Sequence, residues 1–141
     1  MDNLLEVYTT ALWGIVAMIA TWLAQWFVAS ATKASRPGAV PGKIDESLSH
    51  DSFVFRAHRT FMNSLENLPV MFATAFLAVL VGASPFWTGL LVWVFVAARL
   101  VHMAPYYAIA TERNPSPRSY FFMIGLAANL GLLGVVVGAL I

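Results

Sequence analysis

Arg59, Asn63 and Glu66 are spaced i, i+4, i+7, which places them on one face of a helix. Arg99, His102 and Tyr106 form a second polar stripe at i, i+3, i+7 on a later segment. Both stripes are embedded in apolar sequence, where an ionised side chain at the bilayer centre costs at least ~2.5 kcal/mol and therefore faces a partner or a wet cavity. Two such stripes on neighbouring helices predict one shared polar pocket. Taken singly, each residue is also explained by internal neutralisation, with Glu66 pairing to Arg59 or Arg99 and His102 as a satisfied interior histidine. As a set, three guanidinium groups stand against one carboxylate at membrane depth, so an anionic ligand would balance them.

Arg118 follows Pro117 directly and falls in the first turn of the last apolar segment. The helix dipole there disfavours a cation and favours an anion. Either Arg118 is an interfacial anchor that snorkels to lipid phosphate, or Arg118, Ser119 and the first backbone N–H groups form an anion site. In the second case the site would depress the pKa of a bound thiol and hold its thiolate.

The elements that must position these residues follow from composition. The 141 residues are 60% hydrophobic and 11% charged, with a mean hydropathy of +0.74. A soluble domain carries about twice that charged fraction, so the chain reads as an all-α integral membrane protein. Uncharged stretches at 7–32, 67–98 and 119–141 each exceed the ~20 residues that span a bilayer. Breakers divide the chain into four spans at about residues 4–31, 53–81, 86–110 and 117–141, a single four-helix domain. Ser49 or Asp51 is expected to cap the second helix. Ser84-Pro85 and Ser116-Pro117 each read as an N-cap followed by a first-turn proline, and Pro105 as a kink or stop. The first apolar run lacks a basic flank and is longer than a signal-peptide core, so it reads as a retained span.

All eight basic residues (Lys33, Arg36, Lys43, Arg56, Arg59, Arg99, Arg113, Arg118) lie in or beside the first and third loops. The positive-inside rule places those loops in the cytoplasm and both termini on the other side. Arg56, Arg59, Glu66, Arg99, Arg118 and one of Lys33 or Arg36 are expected to converge on one pocket. A net charge of +1 without a basic run argues against a nucleic-acid partner. There is no cysteine, so any thiol chemistry must use a bound thiol. His50, His58 and His102 lack metal-ligand spacing, and no phosphate loop, nucleophile elbow or HExxH is present. Gly134-x-x-x-Gly138 permits close helix approach, within the chain or between copies.

Arg59-x-x-x-Asn63-x-x-Glu66 followed by Pro69, then Arg99-x-x-His102-x-x-x-Tyr106, then Pro117-Arg118-Ser119 resemble the motifs of the MAPEG superfamily, membrane-associated proteins in eicosanoid and glutathione metabolism. The resemblance covers nearly the whole chain. It implies a homotrimer with glutathione as co-substrate, bound between subunits near the cytoplasmic side. On that resemblance Arg59, Asn63, Glu66, His102 and Tyr106 hold glutathione, Arg99 supports them, and Arg118 with Ser119 stabilises the thiolate. A first-loop basic residue, Lys33 or Arg36, would also touch it. Met62 and the insertion read at 112–115 depart from the pattern of the family's prostaglandin E synthase and favour a general transferase or peroxidase; the expected activity is glutathione transfer to lipophilic electrophiles, with reduction of lipid hydroperoxides open to the same thiolate. The alternative is a non-catalytic protein that binds lipid or glutathione.

Overall fold

In the computed structural model, residues 2–110 and 116–141 are described, and among them the regular structure is entirely helical. A short α1 (Asp2–Val7) leads into α2 (Thr9–Ala34), α3 (Phe53–Leu80), α4 (Pro85–Ala108) and α5 (Pro117–Leu140). The last four are long and apolar enough to cross a membrane. The first span therefore runs about one turn beyond residue 31, and its start is broken at Tyr8, whose φ/ψ of −102°/14° departs from regular helix. Buried Tyr8 uses its hydroxyl to reach the Ala83 carbonyl in the α3–α4 turn, tying the two connections at that end together.

The helix caps show how the sequence sets the boundaries. Ser52, rather than Ser49 or Asp51, is the N-cap of α3, in extended conformation at φ −80°, ψ 127°. Hydrogen bonding explains the difference: the Ser49 hydroxyl accepts the Asp51 N–H and donates to the Asp51 carboxylate, both at 3.4 Å, closing a turn ahead of the helix. At the other end of α3, Gly82 takes a left-handed φ of 68°. This lets the Ala83 N–H reach back to the Ala78 carbonyl at 2.9 Å and the Gly82 N–H to Val79 at 3.3 Å. That pair is a Schellman stop, and only glycine adopts its geometry without steric cost. Ser84 and Ser116 are the N-caps of α4 and α5, each followed by its first-turn proline. Pro105 lies inside α4 and does not end it, since the Pro105 carbonyl accepts the Ile109 N–H at 2.9 Å and closes one more turn.

Helices α3 and α4 form the centre of the bundle, each packing on the other three long helices, with α2 and α5 at the flanks. The core is built from Met18, Met71, Val92, Val96, Leu132 and Val136, together with the small Ala75 and Ala78 of α3. Small residues bring the backbones together: a Cβ on Gly14 would lie 2.5 Å from the Val92 side chain. A Cβ on Gly134 or Gly138 would meet nothing within 4 Å, so their Gly-x-x-x-Gly face points away from the chain's own described helices. Large apolar side chains such as Trp13, Phe27, Leu80 and Phe86 are exposed, as a lipid-facing surface requires.

Candidate functional site

The ends of α3, α4 and α5 meet around an open cleft of about 530 Å³. From α3 come Arg59 and Asn63, one turn apart; α4 contributes His102 and Tyr106; the start of α5 contributes Ser116, Arg118 and Ser119. Six of the eight expected site residues thus line one cavity, the two exceptions being Glu66 and Arg99. Phe122 and Met123 supply an apolar wall one turn further along α5.

Arg118 is 8% exposed, so it turns inward rather than snorkelling to the interface. Its guanidinium carbon sits 4.0 Å from the centroid of the Tyr106 ring, a cation–π contact. The Arg118 Nε donates to the Ser116 hydroxyl at 3.1 Å. The Ser116 backbone N–H in turn donates to the Ser119 hydroxyl at 3.3 Å, the returning arm of a capping box. These contacts fix a cation at the positive end of a helix dipole, where two sources of positive potential add. Among the described residues, no carboxylate lines the cleft.

Tyr106 is the hub of the remaining wall. Its ring lies 5.4 Å from that of His102 and 6.0 Å from that of His50, which itself meets Phe55 edge-on at 5.1 Å. His50 comes from the segment before α3 and carries no spacing signal that could have marked it. Asn63 Oδ1 and His102 Nδ1 are buried and have no hydrogen-bond partner among the described residues. Buried polar groups ordinarily find a partner, and both residues line the cleft.

Two expected members lie deeper along their helices. Arg99 is 4% exposed and donates from Nη2 to the Ser64 hydroxyl at 3.0 Å, beside a void of about 10 Å³ that it shares with Thr21 and Ser64. That is the size at which one water fits. Glu66 is exposed and makes no ion pair among the described residues, so internal neutralisation of Arg59 or Arg99 by Glu66 does not occur within one chain. Arg56 is committed elsewhere: its guanidinium donates to the His50 carbonyl at 2.6 Å, to that of Asp51 at 3.0 Å and to that of Tyr107 at 3.4 Å, stitching the loop and α4 to the start of α3. Lys33 and Arg36 line a different cavity and do not reach this cleft within the chain. The residues at 112–115, read as an insertion, and Arg113 among them, fall outside the described residues.

A family model described as the MAPEG family matches residues 10–138, which takes in all the cleft residues and nearly all of the four spans. The chain belongs to the MAPEG family. As a MAPEG protein it is an integral, multi-pass membrane protein of the group concerned with glutathione and eicosanoid metabolism. The MAPEG family includes glutathione transferases and also non-catalytic members. No curated protein and no solved structure matches the chain.

Proposed function

We propose that the protein is a glutathione-dependent membrane transferase in which the cleft binds glutathione and activates its thiol. The observation that carries this reading is Arg118, held inward on Tyr106 and Ser116 at the start of α5, in one cleft with Arg59, Asn63, His102 and Ser119. Arg59, Asn63, His102 and Tyr106 would grip the tripeptide's carboxylates and amides, with Arg99 steadying the floor through Ser64. The thiol proton leaves to solvent, and the thiolate is held by Arg118 and the Ser119 hydroxyl. It then attacks the electrophilic carbon of a substrate arriving from the bilayer, forming a C–S bond as the leaving group departs with its electron pair. Phe122 and Met123 offer that substrate an apolar surface. Thiolate fraction and positioning provide the acceleration. The same thiolate can reduce a lipid hydroperoxide, two glutathiones yielding a disulfide, an alcohol and water.

Assembly as a homotrimer belongs to this proposal. Exposed Glu66 within a membrane span and the outward Gly134–Gly138 face both call for a neighbouring copy, and Glu66 is suited to the ammonium group of glutathione held between subunits. The first and third loops, and with them the cleft, would face the cytoplasm, with both termini opposite. Purified protein in mild detergent should conjugate glutathione to a generic lipophilic aryl halide and run as a trimer in native mass spectrometry. Glutathione binding without turnover on any electrophile would instead make it a non-catalytic binding protein.

A further inference from the structure

The loop joining α2 to α3 encloses a second cavity of about 270 Å³ that shares no residue with the cleft. Its shape is set by two successive Pro-Gly turns. In Arg36-Pro37-Gly38-Ala39 the Ala39 N–H donates to the Arg36 carbonyl at 3.2 Å, and in Val40-Pro41-Gly42-Lys43 the Lys43 N–H donates to the Val40 carbonyl at 3.2 Å. Gly38 and Gly42 take φ of 72° and 78°. Proline at the second position and a left-handed glycine at the third are the marks of type II turns, and the fixed proline φ removes much of the loop's freedom before any ligand arrives.

Three cations, Lys33, Arg36 and Lys43, line this cavity against one carboxylate, Asp45. Asp45 is turned back on its own chain, its Oδ1 accepting the Ser47 N–H at 2.9 Å and the Ser47 hydroxyl at 2.6 Å. Arg36 acts on Asp45 only as the weakest of the influences that lower its carboxyl, behind both Ser47 hydrogen bonds, and no ion pair within 4.0 Å involves Lys33, Arg36 or Lys43 among the described residues. The rest of the lining is largely apolar, from Val40, Ile44, Leu48 and Val54. Lys33 belongs to the last turn of α2 and Val54 to the first turn of α3, both membrane-crossing helices, which puts the cavity at the level where a bilayer meets water.

Guanidinium and ammonium groups facing a small cavity recognise phosphate oxygens. The apolar wall and the position at the bilayer surface select among phosphates. Arg36 and Lys43 are exposed and would hold a free anion only weakly, whereas a lipid is presented to them at high effective concentration by the membrane itself. We propose that this loop cavity binds the phosphate-bearing headgroup of an anionic membrane lipid, its glycerol region against Val40, Ile44 and Leu48, as a site separate from the cleft.

The test is native mass spectrometry of the full chain released from bilayers of mixed phosphatidylglycerol and phosphatidylcholine. The wild type should retain phosphatidylglycerol in preference to phosphatidylcholine, one molecule per chain. Arg36→Gln and Lys43→Gln should each cut that retention about fivefold, and the double variant about 25-fold. Thermal unfolding matching the wild type shows that the variants are folded; if the double variant is not, the two single variants carry the test. Millimolar inorganic phosphate should leave the lipid in place. Equal retention of the two lipids, or retention unchanged in the single variants, overturns the proposal. Displacement of the lipid by micromolar phosphate overturns the lipid assignment and points to a soluble phosphate. Weakened glutathione binding with lipid retention intact overturns the separation of the two sites.

Discussion

Replacing Arg118 by alanine removes the cation that the structure fixes at the α5 end of the cleft, and the size of the effect can be worked through. Two unit charges about 4 Å apart in an environment of effective dielectric ~20 interact by ~4 kcal/mol. At ~1.4 kcal/mol per pKa unit this is an upper bound of ~3 units on a bound thiol. The cleft is open to solvent, so roughly half survives, about 1.5 units. A thiol with an ordinary pKa of ~8.5 then titrates near 7 when bound, and is about half ionised at neutral pH. Without Arg118 the bound thiolate falls to about 3%, and the conjugation rate at saturating glutathione should drop roughly 15-fold at pH ~7. The loss is recoverable: because only ionisation is changed, the variant's rate should climb with pH and approach the wild type above about pH 9. The assay is a pH–rate profile of conjugation for the wild type, Arg118→Ala and Arg118→Lys. Lysine keeps the charge but loses the Nε bond to Ser116 and the planar stack on Tyr106, so its midpoint should lie between the other two. A variant rate that is lowered equally at every pH would refute the thiolate argument, and an unchanged rate would remove Arg118 from the mechanism.

Other expectations follow from packing and hydrogen bonding. Gly14→Ala places a Cβ 2.5 Å from Val92 and should destabilise the bundle by about 1–3 kcal/mol, seen as a lower unfolding midpoint in detergent, while Gly134→Ala, with open space around it, should leave a dissociated chain unchanged. Ser64→Ala strips buried Arg99 of its hydroxyl partner and should cost about 1.5–3 kcal/mol in the same measurement; a neutral result would mean that water replaces the hydroxyl. The Asp45 carboxyl is held below its usual 3.8, first by the Ser47 hydroxyl and then by the Ser47 N–H. A depressed native pKa gives stabilisation that is present above the unfolded value and is lost as pH falls through the native one. Ser47→Ala should therefore move the Asp45 titration upward towards 3.8 in carboxyl-resolved NMR, and a midpoint that stays put would contradict the bond.

The sequence is most informative where a local rule fixes geometry. Ser84-Pro85 and Ser116-Pro117 define helix starts because a proline at the first position loses nothing there, and both motifs open their helices in the structure. Helical spacing correctly put Arg59 with Asn63 and His102 with Tyr106, pairs four residues apart and hence about 6 Å along the axis. Glu66, seven residues from Arg59, and Arg99, seven from Tyr106, do not line the cleft within one chain. Such a step nearly completes two turns, which keeps the face, but it advances about 10 Å along the helix, which leaves the cavity behind. Face and depth are separate coordinates, and periodicity reports only the first. Arg56 was drawn into the expected pocket by charge alone, whereas three carbonyls within reach use its donors for the fold. His50 reaches the Tyr106 ring behind the cleft from a loop, where no period exists to read. The division of basic residues between two cavities was equally hidden, since it depends on how two Pro-Gly turns curl the chain after α2.

The central claim is that the cleft turns bound glutathione into its thiolate, and stopped-flow ultraviolet absorbance reads that event without any second substrate. Mixing glutathione with purified wild-type protein at neutral pH should give a rise in thiolate absorbance that saturates with glutathione and reverses on acidification. Saturable binding of glutathione with no thiolate signal at any pH below the free thiol's own titration would contradict the account.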